Sequence, residues 1–404
     1  MTFRGSLYSC RTIACALIFK TATMSVGAVA FSPEGTGSSP QAFPVAVESA
    51  DSDVESGWER LKAGEFETAA TAFRRAIQLR SDLAAAHFGL GLSLANLHEY
   101  RDAVVCFQRA IALRPDLAAA RLNLGLAYTQ LNEPRLALAA FLEVARVSPK
   151  DARAHMQVGL AYERLGQHAD ALAACRQAVA LKPADPDAQY CVGWASGELQ
   201  RWNDAVDAFE RVVAARPTDA AAFLGLGIAG ANLGRYAVAI DQLTRAATLN
   251  PDLLQAHLAL AAAFGNMDRW SEAVASLERA MALSPTSLEA HYDLAQAFSK
   301  LGRSEDAVAQ SQEAVRVRPT FADAHFQLGL MLVDLHRTAE AVDAFTEALR
   351  LRPAYAAAMF NRALAYHELG RTAEALREQE ALETADPNLA RQLALLITPK
   401  NCSR

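Results

Sequence analysis

The chain has 404 residues, 52% of them hydrophobic but only 7% aromatic, and alanine and leucine dominate the hydrophobic set. That mix favours helix over strand and implies an all-α fold. A formal net charge of -6 supplies no long-range attraction to phosphate backbones or anionic lipid, so charge-driven binding to nucleic acid or a membrane surface is excluded.

Residues 1–31 read as a leader: Arg4 and Arg11 give positive charge, residues 12–19 form a short apolar run, and Ala28-Val29-Ala30 offers a small-x-small cleavage site. On that reading the chain is exported to a periplasmic or other extracytoplasmic space; with a start at Met24 it stays cytoplasmic. Lys20 interrupts the apolar run, so no membrane span is expected. Residues 32–56 turn to Pro, Gly, Ser and acidic residues, a composition that cannot offset chain entropy by burial, and read as a disordered linker.

From there a strict period takes over. Pro115, Pro149, Pro183, Pro217, Pro251, Pro285, Pro319, Pro353 and Pro387 follow one another every 34 residues, the signature of stacked helical hairpins. With the proline as position 32, repeats start at 50, 84, 118, 152, 186, 220, 254, 288, 322 and 356, and the array spans 50–389. Position 20 is alanine in every repeat, from Ala69 to Ala375, and position 8 is glycine or alanine, so two backbones can approach closely. Larger groups at position 7 (Leu90, Leu124, Val158) and position 24 (Phe73, Phe107, Phe141, Phe209, Phe345) fill the space between. Apolar spacing puts helix A at roughly positions 2 to 14 and helix B at roughly 17 to 31, with the proline stopping helix B. Each hairpin needs its neighbours to cover its apolar faces.

Leu124-Gly125, Tyr128, Ala137, Phe141 and Pro149 resemble the tetratricopeptide repeat (TPR) family in order and spacing. The resemblance implies a right-handed α-solenoid of about ten 34-residue helix-turn-helix units. Residues 388–397 place Leu389, Leu393, Leu396 and Ile397 on one helical face and are expected to cap the last hairpin, leaving 398–404 as a tail. The first repeat lacks the proline and carries Asp53 and Ser56 at apolar positions, so its helix A is expected to be short or frayed. Gly225, Gly227, Gly230 and Gly234 crowd repeat six, where a soft joint or a close approach is expected.

The six cysteines show no C-x-x-C pair or regular spacing and read as unpaired, with Cys106, Cys175 and Cys191 in the repeats as small apolar fillers. His87, His155, His257, His291 and His325 recur at position 4, but neighbouring repeats are set about 10 Å apart, too far to converge on one metal ion, so they read as packing histidines. No nucleophile and base stand at a catalytic spacing, so no catalytic, cofactor-binding or metal site is expected, and the chain is read as a non-enzyme.

The resemblance implies that ligands meet positions 2, 5, 6, 9, 12 and 13 of helix A. Candidate groove residues are Phe88, Tyr190, Tyr292, Asp293, Phe326, Gln327, Phe360 and Asn361, with Glu289, Asp334, His367 and Glu368 beside them. The carboxylate clamp by which some relatives hold chaperone tails is missing, because Phe88, Leu92 and Gln157 stand where it needs Lys, Asn and Arg. The expected function is a scaffold binding a peptide or partner protein in a concave groove. The alternative is a non-catalytic, substrate-presenting subunit of a separate enzyme, of the glycosyltransferase or envelope-assembly kind.

Overall fold

A computed structural model describes residues 45–397, and the leader and tail expectations lie outside the described residues. Among the described residues there are 21 α-helices and no strand. They divide at residues 217/218 into two compact units. The first holds α1 (Val45–Lys62), α2 (Phe66–Leu79), α3 (Ala84–Asn96), α4 (Tyr100–Leu113), α5 (Ala118–Gln130), α6 (Pro134–Val147), α7 (Ala152–Arg164), α8 (His168–Leu181), α9 (Pro186–Glu198) and α10 (Trp202–Ala215). The second holds α11 (Ala220–Asn232), α12 (Tyr236–Leu249), α13 (Leu254–Asn266), α14 (Trp270–Leu283), α15 (Leu288–Lys300), α16 (Ser304–Val317), α17 (Ala322–Asp334), α18 (Thr338–Leu351), α19 (Ala356–Glu368), α20 (Thr372–Ala385) and α21 (Pro387–Ile397).

From α1 to α20, odd-numbered helices are helix A and even-numbered ones helix B, at positions 1 to 13 and 17 to 30 in every repeat from the second to the tenth. Where the proline follows, position 31 is extended, as at Arg114 (φ -136, ψ 90), the backbone a following proline demands. The turn between the helices is a Schellman motif: Glu99 N–H donates to Leu94 O and His98 N–H to Ala95 O. It places position 15 at positive φ in all ten repeats. Gly64, Gly166, Gly234, Gly302 and Gly370 suit this, whereas His98, Asn132, Gln200, Asp268 and His336 adopt it against the steric preference of an L-residue. Replacing the exposed Gln200 (φ 57) by glycine is expected to stabilise the protein by about 0.5–1 kcal/mol, read as a raised urea midpoint with an unchanged m-value.

Two expectations need correction. Residues 45–56 are helical: α1 runs unbroken for 18 residues, so the expected linker does not extend to residue 56, and the first helix A is the longest helix among the described residues. Ala50, Val54, Trp58 and Leu61 make a stripe at helical spacing, and Trp58 stacks edge-on against Phe73 at 5.3 Å and lies 6.0 Å from Phe88, so the acidic residues between them occupy the solvent side. The cysteines are not all unpaired either, because Cys175 on α8 and Cys191 on α9 form a disulfide.

The core follows one rule. Every repeat with phenylalanine at position 24 has glycine at position 8: Phe73 with Gly57, Phe107 with Gly91, Phe141 with Gly125, Phe209 with Gly193 and Phe345 with Gly329. A Cβ on those glycines would stand 2.4 to 3.0 Å from the ring, so the ring occupies the methyl's place. Alanine appears at position 8 only where position 24 is Leu277, Ser311 or Gln379. In repeat six, α11 is uninterrupted despite its glycines; Gly227 is a close approach to Leu243, Gly234 forms the turn, and a Cβ on Gly230 would meet Ala239 at an ordinary contact distance of 3.7 Å. At the end of the array α21 buries Ala390, Leu393 and Ile397 beside α19 and α20, its first turn capped by Asp386, whereas Leu396, expected on the covering face, is exposed.

Candidate functional site

Helix A supplies both the joints between repeats and the candidate groove, and position 4 belongs to the joints. Within the first unit, His87 Nε2 lies 3.0 Å from Ser81 O, His155 Nε2 2.9 Å from Pro149 O, and Gln189 Nε2 2.9 Å from Pro183 O. Arg121 donates to Pro115 O in the same way. In the second, His257, His291 and His325 meet the carbonyls of Pro251, Pro285 and Pro319 at 2.9, 3.0 and 2.9 Å. A carbonyl only accepts, so Nε2 carries the hydrogen in each ring, and it does so in the neutral and the protonated form alike. The histidine column is therefore a staple on the carbonyl at position 32, an end of helix B that proline's geometry leaves open.

A second contact joins the two helices of a single repeat. Wherever position 2 is acidic, position 31 of the same repeat is arginine, 29 residues on: Asp51 and Arg80 at 3.5 Å, Asp187 and Arg216 at 2.7 Å, Asp323 and Arg352 at 2.9 Å, with Arg318 opposing the burial that raises the Glu289 carboxyl. These partly exposed pairs each contribute only about 0–1 kcal/mol. Their effect is to orient the start of helix A against the end of helix B. At Asp323 the arrangement is fuller: both guanidinium nitrogens of Arg352 donate to the carboxylate, and the Tyr355 hydroxyl donates to it at 2.8 Å. Burial, and then that bond, push the Tyr355 phenol up, so it stays a donor.

Of the eight candidate groove residues, Phe88 and Tyr190 lie in the first unit and the other six in the second. Phe88 is 2% exposed and packs 6.0 Å from both Trp58 and Phe107, which makes it core. Tyr190 is half-buried, edge-on to Phe209 at 5.6 Å. Asp293 is fully buried. Gln327 is buried and donates to the Tyr292 carbonyl at 2.8 Å, tying α17 to α15. Asn361 donates to Ala357 O of its own helix at 2.8 Å. Tyr292, Phe326 and Phe360 are half-buried: Tyr292 lies 6.1 Å from Phe321, Phe326 lies 4.9 Å from Tyr355 and 5.8 Å from Phe345, and Phe360 borders the α19–α21 core. Asp334, His367 and Glu368 are exposed, and Ser299 donates to Asp334 at 3.3 Å.

In the first unit Glu163, at position 12 of repeat four, is buried, with Oε2 3.0 Å from His168 Nδ1 and Oε1 without a hydrogen-bond partner among the described residues. Burial raises its carboxyl, and the bond from His168 works against that. Among the described residues no group of His, Cys, Asp and Glu is placed to hold a metal ion, and no helix is long and apolar enough to cross a membrane.

Stapled helical hairpins with a fixed small-to-large packing rule define a helical-repeat protein. Three models of one family match it: a tetratricopeptide repeat model over residues 129–186, 193–253 and 326–390, another over 266–328, and a TPR repeat model over 57–98 and 96–132. The chain belongs to the tetratricopeptide repeat family, whose members generally act as protein–protein interaction scaffolds and are typically non-catalytic. No curated protein matches it. Among solved structures it is similar to MamA from Desulfovibrio magneticus RS-1 (26% identity, 41% of this chain and 91% of that one, TM-score 0.37). It is also similar to YrrB, described as a TPR protein with an unusual peptide-binding site (21%, 46% and 96%, TM-score 0.41), and to PilF of Pseudomonas aeruginosa (18%, 52% and 96%, TM-score 0.47).

Proposed function

We propose that the chain is an adaptor whose second unit holds an extended segment of a partner protein along α15, α17 and α19. One observation carries this reading. Position 5 is buried in five repeats, at Phe88, Leu122, Met156, Leu224 and Leu258, and half-buried at Val54 and Tyr190, but only repeats eight, nine and ten place large, partly exposed aromatics there in succession, Tyr292, Phe326 and Phe360. Three consecutive aromatic anchors at one helical position are what a peptide with spaced apolar side chains requires. The charged residues beside them are mostly acidic: Glu289 and Asp334, then Glu368, with Lys300 the opposing charge. The preferred ligand is thus a segment alternating apolar and basic residues.

The aromatics also pack between repeats, so they are poor first choices for mutation. Asp334 and Glu368 are exposed and their replacement spares the core. Full-length protein carrying Asp334→Lys and Glu368→Lys is expected to bind synthetic Leu/Lys-patterned peptides about tenfold more weakly than wild type in fluorescence anisotropy, with unchanged circular dichroism. Equal affinity in both proteins, or a wild-type preference for acidic peptides, would refute the reading.

A further inference from the structure

The disulfide sits where the packing rule would place a ring. In repeat one, Phe73 lies between Gly57 at position 8 and Gly89 at position 6 of the next repeat, and a Cβ on either glycine would stand 2.7 or 2.3 Å from it. In repeat four the same three places are Cys175, Gly159 and Cys191, and a Cβ on Gly159 would meet the two sulfurs at 2.5 and 3.1 Å. Two bonded sulfurs thus fill the site that one aromatic ring fills elsewhere. Cys175 and Cys191 are 0% and 1% exposed, so neither is open to exchange once α8 and α9 have closed. Cys106, the remaining cysteine among the described residues, is half-buried, and burial pushes its thiol up to about 11. It stays protonated at neutral pH and competes poorly in disulfide exchange.

We infer that the Cys175–Cys191 bond is the resident state of the working protein and that the chain therefore completes folding in an oxidising compartment, outside the reducing cytoplasm. Closing the bond takes two electrons and two protons from the pair of thiols, and the acceptor required is a disulfide-bearing protein or small-molecule disulfide. The thiolate of one cysteine attacks that disulfide and displaces its first thiolate, giving a mixed disulfide. The second cysteine's thiolate then attacks the first cysteine's sulfur, the acceptor's second sulfur leaves, and the acceptor departs as a dithiol. Burial of both sulfurs puts these steps before α8 and α9 pack. The inference does not rest on the groove in the second unit.

The test has two parts. Native host cells are acid-quenched, alkylated with N-ethylmaleimide and digested without reductant for mass spectrometry. Peptides of Cys175 and Cys191 are expected linked and unalkylated, and alkylation of both residues would overturn the inference. In parallel, purified full-length protein is unfolded and refolded with or without tris(2-carboxyethyl)phosphine. The reduced protein is expected to melt roughly 5–10 °C lower, the loss expected for opening a short cross-linked loop. The variant Cys175→Phe with Cys191→Gly, which reproduces the Phe73 and Gly89 arrangement, is expected to show no difference between the two conditions. A wild type equally indifferent to reductant would also overturn it, and that comparison needs no variant to fold.

Discussion

Replacing Phe141 by alanine is expected to remove about 3–5 kcal/mol of stability, measured as a lowered urea midpoint by circular dichroism. The ring is 1% exposed, packs with Leu122, Val144, Ala154 and Val158, and occupies the place that a Cβ on Gly125 would take, 2.4 Å from its edge. That second feature makes the prediction specific. Gly125→Ala alone gains helix propensity of up to about 1 kcal/mol but forces a buried ring aside at about 1–3 kcal/mol, so it is expected to destabilise. In a Phe141→Leu background, matching Leu277 with Ala261 in repeat seven, the same change is expected to be neutral or stabilising. Additive effects across that cycle would disprove the coupling.

The second large effect is expected at the last hairpin. Position 7 is apolar in repeats two to nine, but in repeat ten it is Arg362, whose guanidinium pairs with Glu378 of α20 and donates to Thr346 at 3.0 Å. The two side chains are only 18% and 13% exposed, and Arg362 Nε and Glu378 Oε2 have no hydrogen-bond partner among the described residues. Removing one partner strands the other charge, so Arg362→Met is expected to cost about 3 kcal/mol. The double variant Arg362→Met with Glu378→Met is expected to recover most of that loss, since a buried ion pair seldom exceeds an apolar pair of similar volume. A double variant as unstable as the single one would show instead that the pair is needed to position α20.

Much of the fold was legible because it is local. The proline at position 32, the alanine at position 20 and the glycine or alanine at position 8 act within one hairpin, and repetition in nine copies of the first and ten of the others separates them from chance. Asp53 and Ser56 depart from the repeat columns and hide the first helix, whereas the stripe from Ala50 through Val54 and Trp58 to Leu61 is by itself sufficient to show it. Position 4 was seen as a histidine column, but its neighbours Arg121 and Gln189 already held the clue: all are side chains able to donate, six residues after the carbonyl they reach. The pairing of position 2 with position 31 was equally open to inspection. The candidate groove was far less legible, because Phe88 and Phe326 share a position and a residue type, yet one is core and the other half-exposed.

By itself, then, the sequence determined the period, the helical hairpins, their boundaries and their close-approach sites, since each depends on residues only a few turns apart whose sterics repeat. Tertiary structure alone decided which helix A faces stay open, and that Cys175 and Cys191, 16 residues apart on different helices, meet within one packing site. It also decided that Arg362 and Glu378 find each other in a nearly dry interface. In each case the outcome depends on what the neighbouring helix leaves uncovered or unpaired, a quantity that exists only once the repeats have stacked.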